Sequence, residues 1–166
     1  QILFQQYWDI ESASLSDKVK PFSSPEDVFK SLEKSVRRQL IADVPIGIFL
    51  SGGIDSTAVL TAIPDSYKDK LKAYTIGFEA SELDESREAS RIAKKFGIKH
   101  KILHVNASDV VRDLPDIIKA YDEPFGDFSQ VPTYILAKFA KKDVSVVLTG
   151  DGGDELFQGY NRHVWH

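Results

Sequence analysis

Hydrophobic and polar positions follow two different periodicities along the chain. Over residues 28–41 the apolar side chains recur every three or four positions, the spacing that brings them onto one face of a helix. Just ahead of them, Ser24 and Pro25 fit the first positions of a helix, and the acids that follow suit its positive end. Residues 45–50 (PIGIFL) then form a short unbroken apolar run, which is typical of a strand buried in a parallel sheet.

The same change from helical to strand-like pattern repeats as far as residue 148. The predicted helices begin at Pro25 and then cover 55–63, 84–96, 108–121 and 132–142, and the predicted strands cover 45–50, 73–78, 98–105 and 144–148. Strands that alternate with helices pair in parallel, because each helix returns the chain to the same edge of the sheet. We therefore predict an α/β domain over residues 25–166, a doubly wound, mainly parallel sheet with helices on both faces. Residues 1–24 are predicted to be a linker or edge segment.

Composition narrows the classes of protein that fit. The 166 residues suffice for one ordinary domain, and 42% of them are hydrophobic, as in globular proteins. The net charge of −4 provides no basic field for nucleic acid, and no apolar run approaches the roughly 20 residues that span a membrane. The lack of cysteine excludes disulfides and thiolate chemistry and suits a cytoplasmic location. There is no methionine either, so we expect the chain to be part of a longer protein.

The loop after the first predicted strand carries the main chemical signal, SGGIDS at residues 51–56. Its two glycines let a ligand approach the backbone, and amides at the start of the next helix favour an anion such as phosphate. It is not a Walker A loop, since the pattern G-x-x-x-x-G-K-[ST] is not matched. Asp55 would repel a phosphate unless a divalent cation lay between them, so the loop indicates a site for Mg²⁺ and phosphate. The alternative is a tight turn in which Asp55 only favours the helix start.

A second acidic turn, TGDGGDE at residues 149–155, follows the last predicted strand. It combines three glycines with three acids and does not match the calcium loop of an EF-hand. Ligands of open α/β sheets bind beyond the carboxyl ends of the strands, so this turn and the first loop can face each other there. Asp55 and Asp154 could then share Mg²⁺ that bridges a triphosphate. A surface loop rich in glycine and aspartate is the alternative.

Five segments together resemble one known family. They are DVPIGIFLSGGIDST (43–57), YTIGF (74–78), DES (84–86), DEPFGDFSQVPTY (122–134) and LTGDGGDELFQGYNRH (148–163). In order and spacing they are similar to the C-terminal synthetase domain of glutamine-dependent asparagine synthetase, a pyrophosphate-loop ATPase with an adenine-nucleotide α-hydrolase-like fold. The first loop alone is shared with GMP and NAD synthetases, whereas the second turn is more specific to asparagine synthetase.

The resemblance implies a role for each matching position. Leu50 and Ile76 would flank the adenosine of ATP. Asp55 and Asp154 would be the Mg²⁺ ligands, and Asp151 would act in catalysis as a base or an orienting group. The residues implied to contact the phosphates are Ser51, Gly52, Gly53, Asp55 (through Mg²⁺), Ser56, Thr149 and Gly150.

The implied reaction is ATP-dependent amide formation. The aspartate carboxylate attacks the α-phosphate of Mg-ATP, aspartyl-AMP forms, pyrophosphate leaves, and ammonia then displaces AMP to give asparagine. In the family an N-terminal glutaminase domain supplies the ammonia; that domain and the later C-terminal part are expected outside these residues, and a homodimer is compatible with the assignment. Two alternatives stay open, a related amidotransferase or cyclase that acts on another carboxylate, and a nucleotide-binding module without turnover.

Two other pairs of polar residues have weaker signals. His100 and His104 are four residues apart, but on a strand this spacing corresponds to about 13 Å, so we expect surface or second-face positions rather than zinc ligands. Asp122 and Glu123 either line the substrate pocket or are ordinary loop acids.

Overall fold

The computed structural model describes residues 2–14, 21–78, 84–123, 126–157 and 159–160, and this part of the chain contains four strands and eight helices. The strands are β1 (Ile46–Phe49), β2 (Lys72–Phe78), β3 (Lys99–Val105) and β4 (Val146–Leu148). The helices are α1 (Ile10–Ser14), α2 (Pro25–Gln39), α3 (Ile54–Ala62), α4 (Asp65–Lys68), α5 (Ser86–Phe96), α6 (Ala107–Ala120), α7 (Gln130–Ala140) and α8 (Gly153–Phe157).

The strands form one sheet in the order β3-β2-β1-β4, and every neighbouring pair is parallel. β1 therefore lies inside the sheet, where Ile46 and Ile48 are 2% and 0% exposed. β1 pairs with β4 in the register Ile48↔Leu148. As a result, the segments that follow β1 and β4 leave the sheet side by side, although they are far apart in the sequence.

Helices cover both faces of the sheet, because successive side chains of a strand point to opposite faces. On one face, α2, α3 and α5 enclose an aliphatic cluster that includes Ile48 and Leu60. On the other face, α7 packs against Tyr74 and Phe49. The ring of Phe139 on α7 meets Tyr74 edge-on, with centroids 6.0 Å apart. The predicted doubly wound α/β architecture is confirmed.

The ends of α2 and α5 differ from the sequence pattern in two places. The Ser24 hydroxyl caps α2 as predicted, accepting from the amide of Asp27 at 3.3 Å. α2 ends at Gln39, however, so Ile41 lies beyond its apolar face and is 84% exposed. α5 begins at Ser86 because the Asp84 carboxylate accepts from the Ser86 amide at 3.1 Å, outside the helix rather than in its first turn.

Several short elements also differ from the prediction. α1, α4 and α8 have four or five residues each, too few to create an apolar periodicity. β4 is shorter than predicted, because the amide of Val144 donates to Ala140 O and so continues the end of α7. No helix in the described ranges is both long and apolar enough to cross a lipid bilayer.

Candidate active site

The segments that follow β1 and β4 meet in a cleft of about 840 Å³ at the carboxyl ends of the strands. One wall comes from residues 51–56 and 149–155, and the opposite wall comes from the connection between α6 and α7 and from the first turns of α7. Small-molecule sites have volumes of this order, and open α/β sheets bind ligands at this edge. The cleft is therefore the candidate active site.

Two glycines allow the acidic turn to contact the start of α3 directly. A Cβ atom on Gly153 would lie 2.5 Å from Cγ and Oδ2 of Asp55, and one on Gly150 would lie 2.7 Å from the amide nitrogen of Ser56. Gly152, between them, has a φ of 89°, in the left-handed region that favours glycine. The glycines thus explain locally how the two predicted turns come together.

Side-chain hydroxyls brace the first loop from within. Ser51 Oγ lies 2.8 Å from Ser56 Oγ and accepts from the Gly53 amide at 3.0 Å, while the Ser51 amide donates to Ser56 Oγ at 3.2 Å. Thr57 Oγ1 donates to Gly53 O at 2.8 Å. Ser56 is 6% exposed, so this network sits at the base of the loop and fixes its backbone.

A carboxylate from another part of the chain binds the remaining glycine amide. The Gly52 N–H donates to Oε2 of Glu85 at 2.9 Å, and Glu85 also lines the cleft just ahead of α5. The amides of Ser51, Gly52 and Gly53 all donate to side chains of the protein itself. In this structure, therefore, these three amides have acceptors within the protein, two of them supplied by the loop itself and one by Glu85.

The charge of the cleft is strongly negative. Among the described residues that line it there are no lysine, arginine or histidine side chains, and six are acidic: Asp55, Glu85, Asp127, Asp151, Asp154 and Glu155. Carboxylates at close range repel one another and would repel a bare polyphosphate. An anionic ligand that arrives with a cation would meet less of this repulsion from the described acids.

The donor set suits Mg²⁺ only if phosphate oxygens complete its coordination. Asp55 and Asp154 line the same cleft. Across the described ranges, no three histidine, cysteine or acidic side chains converge as a ready-made metal site. Mg²⁺ is commonly held by one or two carboxylates together with water and substrate phosphates, and the two aspartates fit that chemistry.

Two aspartates of the acidic turn have different surroundings. The Asp151 side chain is exposed at the cleft, and its amide donates to Thr149 Oγ1 at 3.3 Å. The Asp154 carboxylate lies against Gly159. Asp122 and Glu123 are exposed and do not line the cleft, whereas Asp127, which was given no role from the sequence, does.

An apolar patch lies on the α7 side of the cleft. Phe49, Ile76 and Leu136 line it and pack in the same cluster. Leu50 also borders the cleft, but it is 2% exposed and its side chain packs in the cluster on the opposite face of the sheet. Strand alternation puts Phe49 and Leu50 on opposite faces, and the pairing Phe49↔Tyr74 places Phe49 on the face that Ile76 shares.

A buried hydrogen-bonded pair supports the end of β1. Thr75 is 3% exposed, and its Oγ1 donates to Leu50 O at 2.5 Å. His100 Nε2 lies 2.7 Å from Thr75 Oγ1. A threonine hydroxyl has one proton, so His100 must donate from Nε2. Burial lowers the pKa of His100, which favours the neutral ring. His100 therefore supports the end of β1 through Thr75, while His104 packs against Gly77.

The fold places the chain in a known structural class. The glutamine-dependent NAD⁺ synthetase from Acinetobacter baumannii, solved in complex with ADP, superposes with a TM-score of 0.57 at 19% sequence identity, over 88% of this chain and 29% of that chain. The architecture is thus the adenine-nucleotide α-hydrolase-like fold.

Sequence comparison then identifies the family. The Asparagine synthase family matches residues 27–166, and the chain belongs to that family. It is 37% identical to "Asparagine synthetase [glutamine-hydrolyzing] 1" of Bacillus subtilis (strain 168) over 147 residues, 86% of this chain and 23% of the relative. It is 42% identical to a "Putative asparagine synthetase [glutamine-hydrolyzing]" of Mycobacterium tuberculosis (strain ATCC 25618 / H37Rv) over 135 residues, 81% of this chain and 21% of the relative. The chain thus spans less than a quarter of the length of these relatives.

Proposed function

We propose that the chain is the ATP-binding part of an amide-forming ligase that converts aspartate to asparagine. The observation that carries the proposal is the contact between Asp55 and Gly153, which joins the SGGIDS loop and the acidic turn at one cleft. Membership of the Asparagine synthase family supports the same chemistry. We also propose that a glutaminase domain supplies the ammonia and that the protein works in the cytoplasm.

The proposed reaction has two steps whose atoms balance. An oxygen of the aspartate β-carboxylate forms a bond to the α-phosphorus of ATP, the bond from that phosphorus to the bridging oxygen breaks, and pyrophosphate leaves with the electron pair. Ammonia then forms a bond to the acyl carbon, and AMP leaves with the electrons of the acyl–oxygen bond. The nitrogen releases one proton as the amide forms.

The chain's residues contribute mainly by positioning and by charge. In the proposal, Ser51, Ser56 and Thr149 offer hydroxyl groups to the phosphates, and the close approach at Gly150 lets both turns contact the same nucleotide side by side. Asp55 and Asp154 hold Mg²⁺, which when bound neutralises charge on the phosphates. Asp151, exposed in the cleft, takes the proton that ammonia releases or orients the attacking nitrogen.

The apolar patch suits the adenine ring. Phe49 and Ile76 share one face of the sheet, with Leu136 of α7 beside them. In the proposal the base packs on this patch, while Leu50 contributes only where the backbone borders the cleft. Nucleotide pockets commonly combine such an apolar surface with a few placed polar groups.

Exchange of labelled pyrophosphate into ATP tests the first step. The intact protein with Mg²⁺ should catalyse the exchange only when aspartate is present. Asp55→Asn should abolish both the exchange and the thermal protection by Mg-ATP. Asp122→Asn is the matched control, because Asp122 is an exposed loop acid that does not line the cleft; it should behave like the unaltered protein.

Each other outcome separates one alternative. Exchange that requires a different carboxylate would assign the protein to an amidotransferase or cyclase with another acceptor. Mg-ATP binding without exchange for any carboxylate would favour a nucleotide-binding module. Equal protection of the Asp55 variant and the unaltered protein by Mg-ATP would refute the role given to Asp55.

A further inference from the structure

Glu85 holds part of the phosphate loop in a bond that a ligand would have to break. Its carboxylate accepts from the Gly52 amide at 2.9 Å, across 33 positions of sequence. A hydrogen bond to an ionised carboxylate is stronger than a bond between neutral groups. The Cβ atom of Glu85 would lie 3.4 Å from a Cβ built on Gly52, so the two segments are in contact and the bond is part of their packing.

A phosphate oxygen and a carboxylate oxygen are the same kind of acceptor for this amide. The Ser51 and Gly53 amides already donate within the loop, so the Gly52 amide is the donor whose acceptor comes from outside it. A phosphate that takes the Gly52 amide must displace Glu85 and then lie beside the displaced charge. Two anions so close repel each other unless positive charge lies nearby.

We propose that Glu85 is a specificity-determining residue that closes the loop to bare anions and admits anions that arrive with a divalent cation. The proposal rests on the proposed nucleotide function and adds a selection step to it. A bare phosphate that takes the Gly52 amide lies beside the displaced Glu85 carboxylate with no cation between the two charges. An anion paired with a cation brings the positive charge that offsets this repulsion, and the displaced carboxylate remains near that charge.

Two substitutions on the same part of the chain separate this role from a general effect of charge. Glu85→Gln keeps the shape and an oxygen that can accept from Gly52, but it removes the charge. Glu88→Gln is the control, because Glu88 also packs against Gly52. The Cβ of Glu88 lies 3.1 Å from a Cβ built on that glycine. Glu88 pairs with Arg91 at 3.0 Å and does not line the cleft.

Titration calorimetry of the intact protein with inorganic pyrophosphate, with and without Mg²⁺, tests the proposal. Glu85→Gln should tighten binding of metal-free pyrophosphate about tenfold, which corresponds to about 1.4 kcal/mol. With Mg²⁺ present, we expect a change of less than about threefold, since cation charge already offsets the carboxylate. Glu88→Gln should leave both affinities close to those of the unaltered protein.

The other results overturn the inference. Similar tightening in both variants would indicate a general charge effect, and weaker binding by Glu85→Gln would indicate that Glu85 merely orients the loop. No change in the affinity for metal-free pyrophosphate, with Mg-ATP binding intact, would refute the inference and leave the proposed function standing. Failure of the unaltered protein to bind Mg-ATP would refute both.

Discussion

Replacing Gly150 or Gly153 with alanine should have different effects, because the new Cβ would meet different atoms of α3 at the two positions. A Cβ on Gly150 would lie 2.7 Å from Ser56 N and 3.0 Å from Asp55 C, both of them backbone atoms. α3 is anchored in the core by Leu60, which is 0% exposed, so its backbone cannot retreat cheaply. Overpacking of this kind typically costs about 1–3 kcal/mol, and we expect Gly150→Ala to lower the free energy of unfolding by that amount.

Gly153→Ala should separate ligand binding from stability. Its Cβ would lie 2.5 Å from Cγ and Oδ2 of Asp55, atoms of a side chain that can rotate away. Gly153 is also the first residue of α8, and replacing a helical glycine with alanine favours the helix by up to about 1 kcal/mol. The free energy of unfolding should therefore change by less than about 1 kcal/mol. The Asp55 carboxylate, however, would leave its place in the cleft.

Urea denaturation and thermal protection by Mg-ATP measure the two effects separately in the intact protein. Gly150→Ala should unfold at lower urea, whereas Gly153→Ala should unfold like the unaltered protein and lose its protection by Mg-ATP. Gly126→Ala is the matched control, because among the described residues, apart from its neighbours in the chain, no atom lies within 4 Å of a Cβ at that position. Full stability of Gly150→Ala, or full Mg-ATP protection of Gly153→Ala, would refute the reasoning.

Two further substitutions test the sheet beneath the cleft by urea denaturation. Thr75→Val removes the hydroxyl between Leu50 O and His100 and should cost about 1–3 kcal/mol, while Thr75→Ser should keep most of the stability; equal losses would point to packing instead. The pKa of Tyr74 is raised to about 12 from its ordinary 10.0, mainly by burial and to a lesser degree by the negative charge of nearby Asp143. The folded state then holds the proton more tightly, so stability should be full below pH 10 and fall as the pH rises towards about 12. Tyr74→Phe should flatten this decline, and an unchanged decline would refute the assignment.

Local patterns in the sequence predict most of the elements but not their order in the sheet. The apolar run at residues 45–50 and the helix start at Ser24 depend on near neighbours, and both predictions are confirmed. The adjacency of β1 and β4 depends on how distant segments pack, and no local pattern specifies it. The short helices were missed because four or five residues leave no periodic signal.

Only the parts of the candidate site that depend on neighbouring residues could be predicted from the sequence. Both turns were located because their glycines and acids are contiguous in sequence. Glu85 lies in the DES segment, but its bond to Gly52 joins residues 33 positions apart and comes from tertiary packing. The hydrogen bond of His100 to Thr75 was not predicted, because Thr75 lies on the neighbouring strand and no local pattern connects the two residues. The roles of the individual site residues remain predictions.

The brevity of β4 links ligand binding to local opening of the sheet. β4 carries the acidic turn, yet it pairs with β1 only in the register from Ile46↔Val146 to Ile48↔Leu148. Pairing between segments so far apart in the chain forms slowly during folding. In the native state, a short strand with few hydrogen-bonded partners needs little free energy to open locally. A ligand that contacts both turns opposes that detachment. Amide hydrogen exchange along Val146–Leu148 should therefore slow when the cleft is filled.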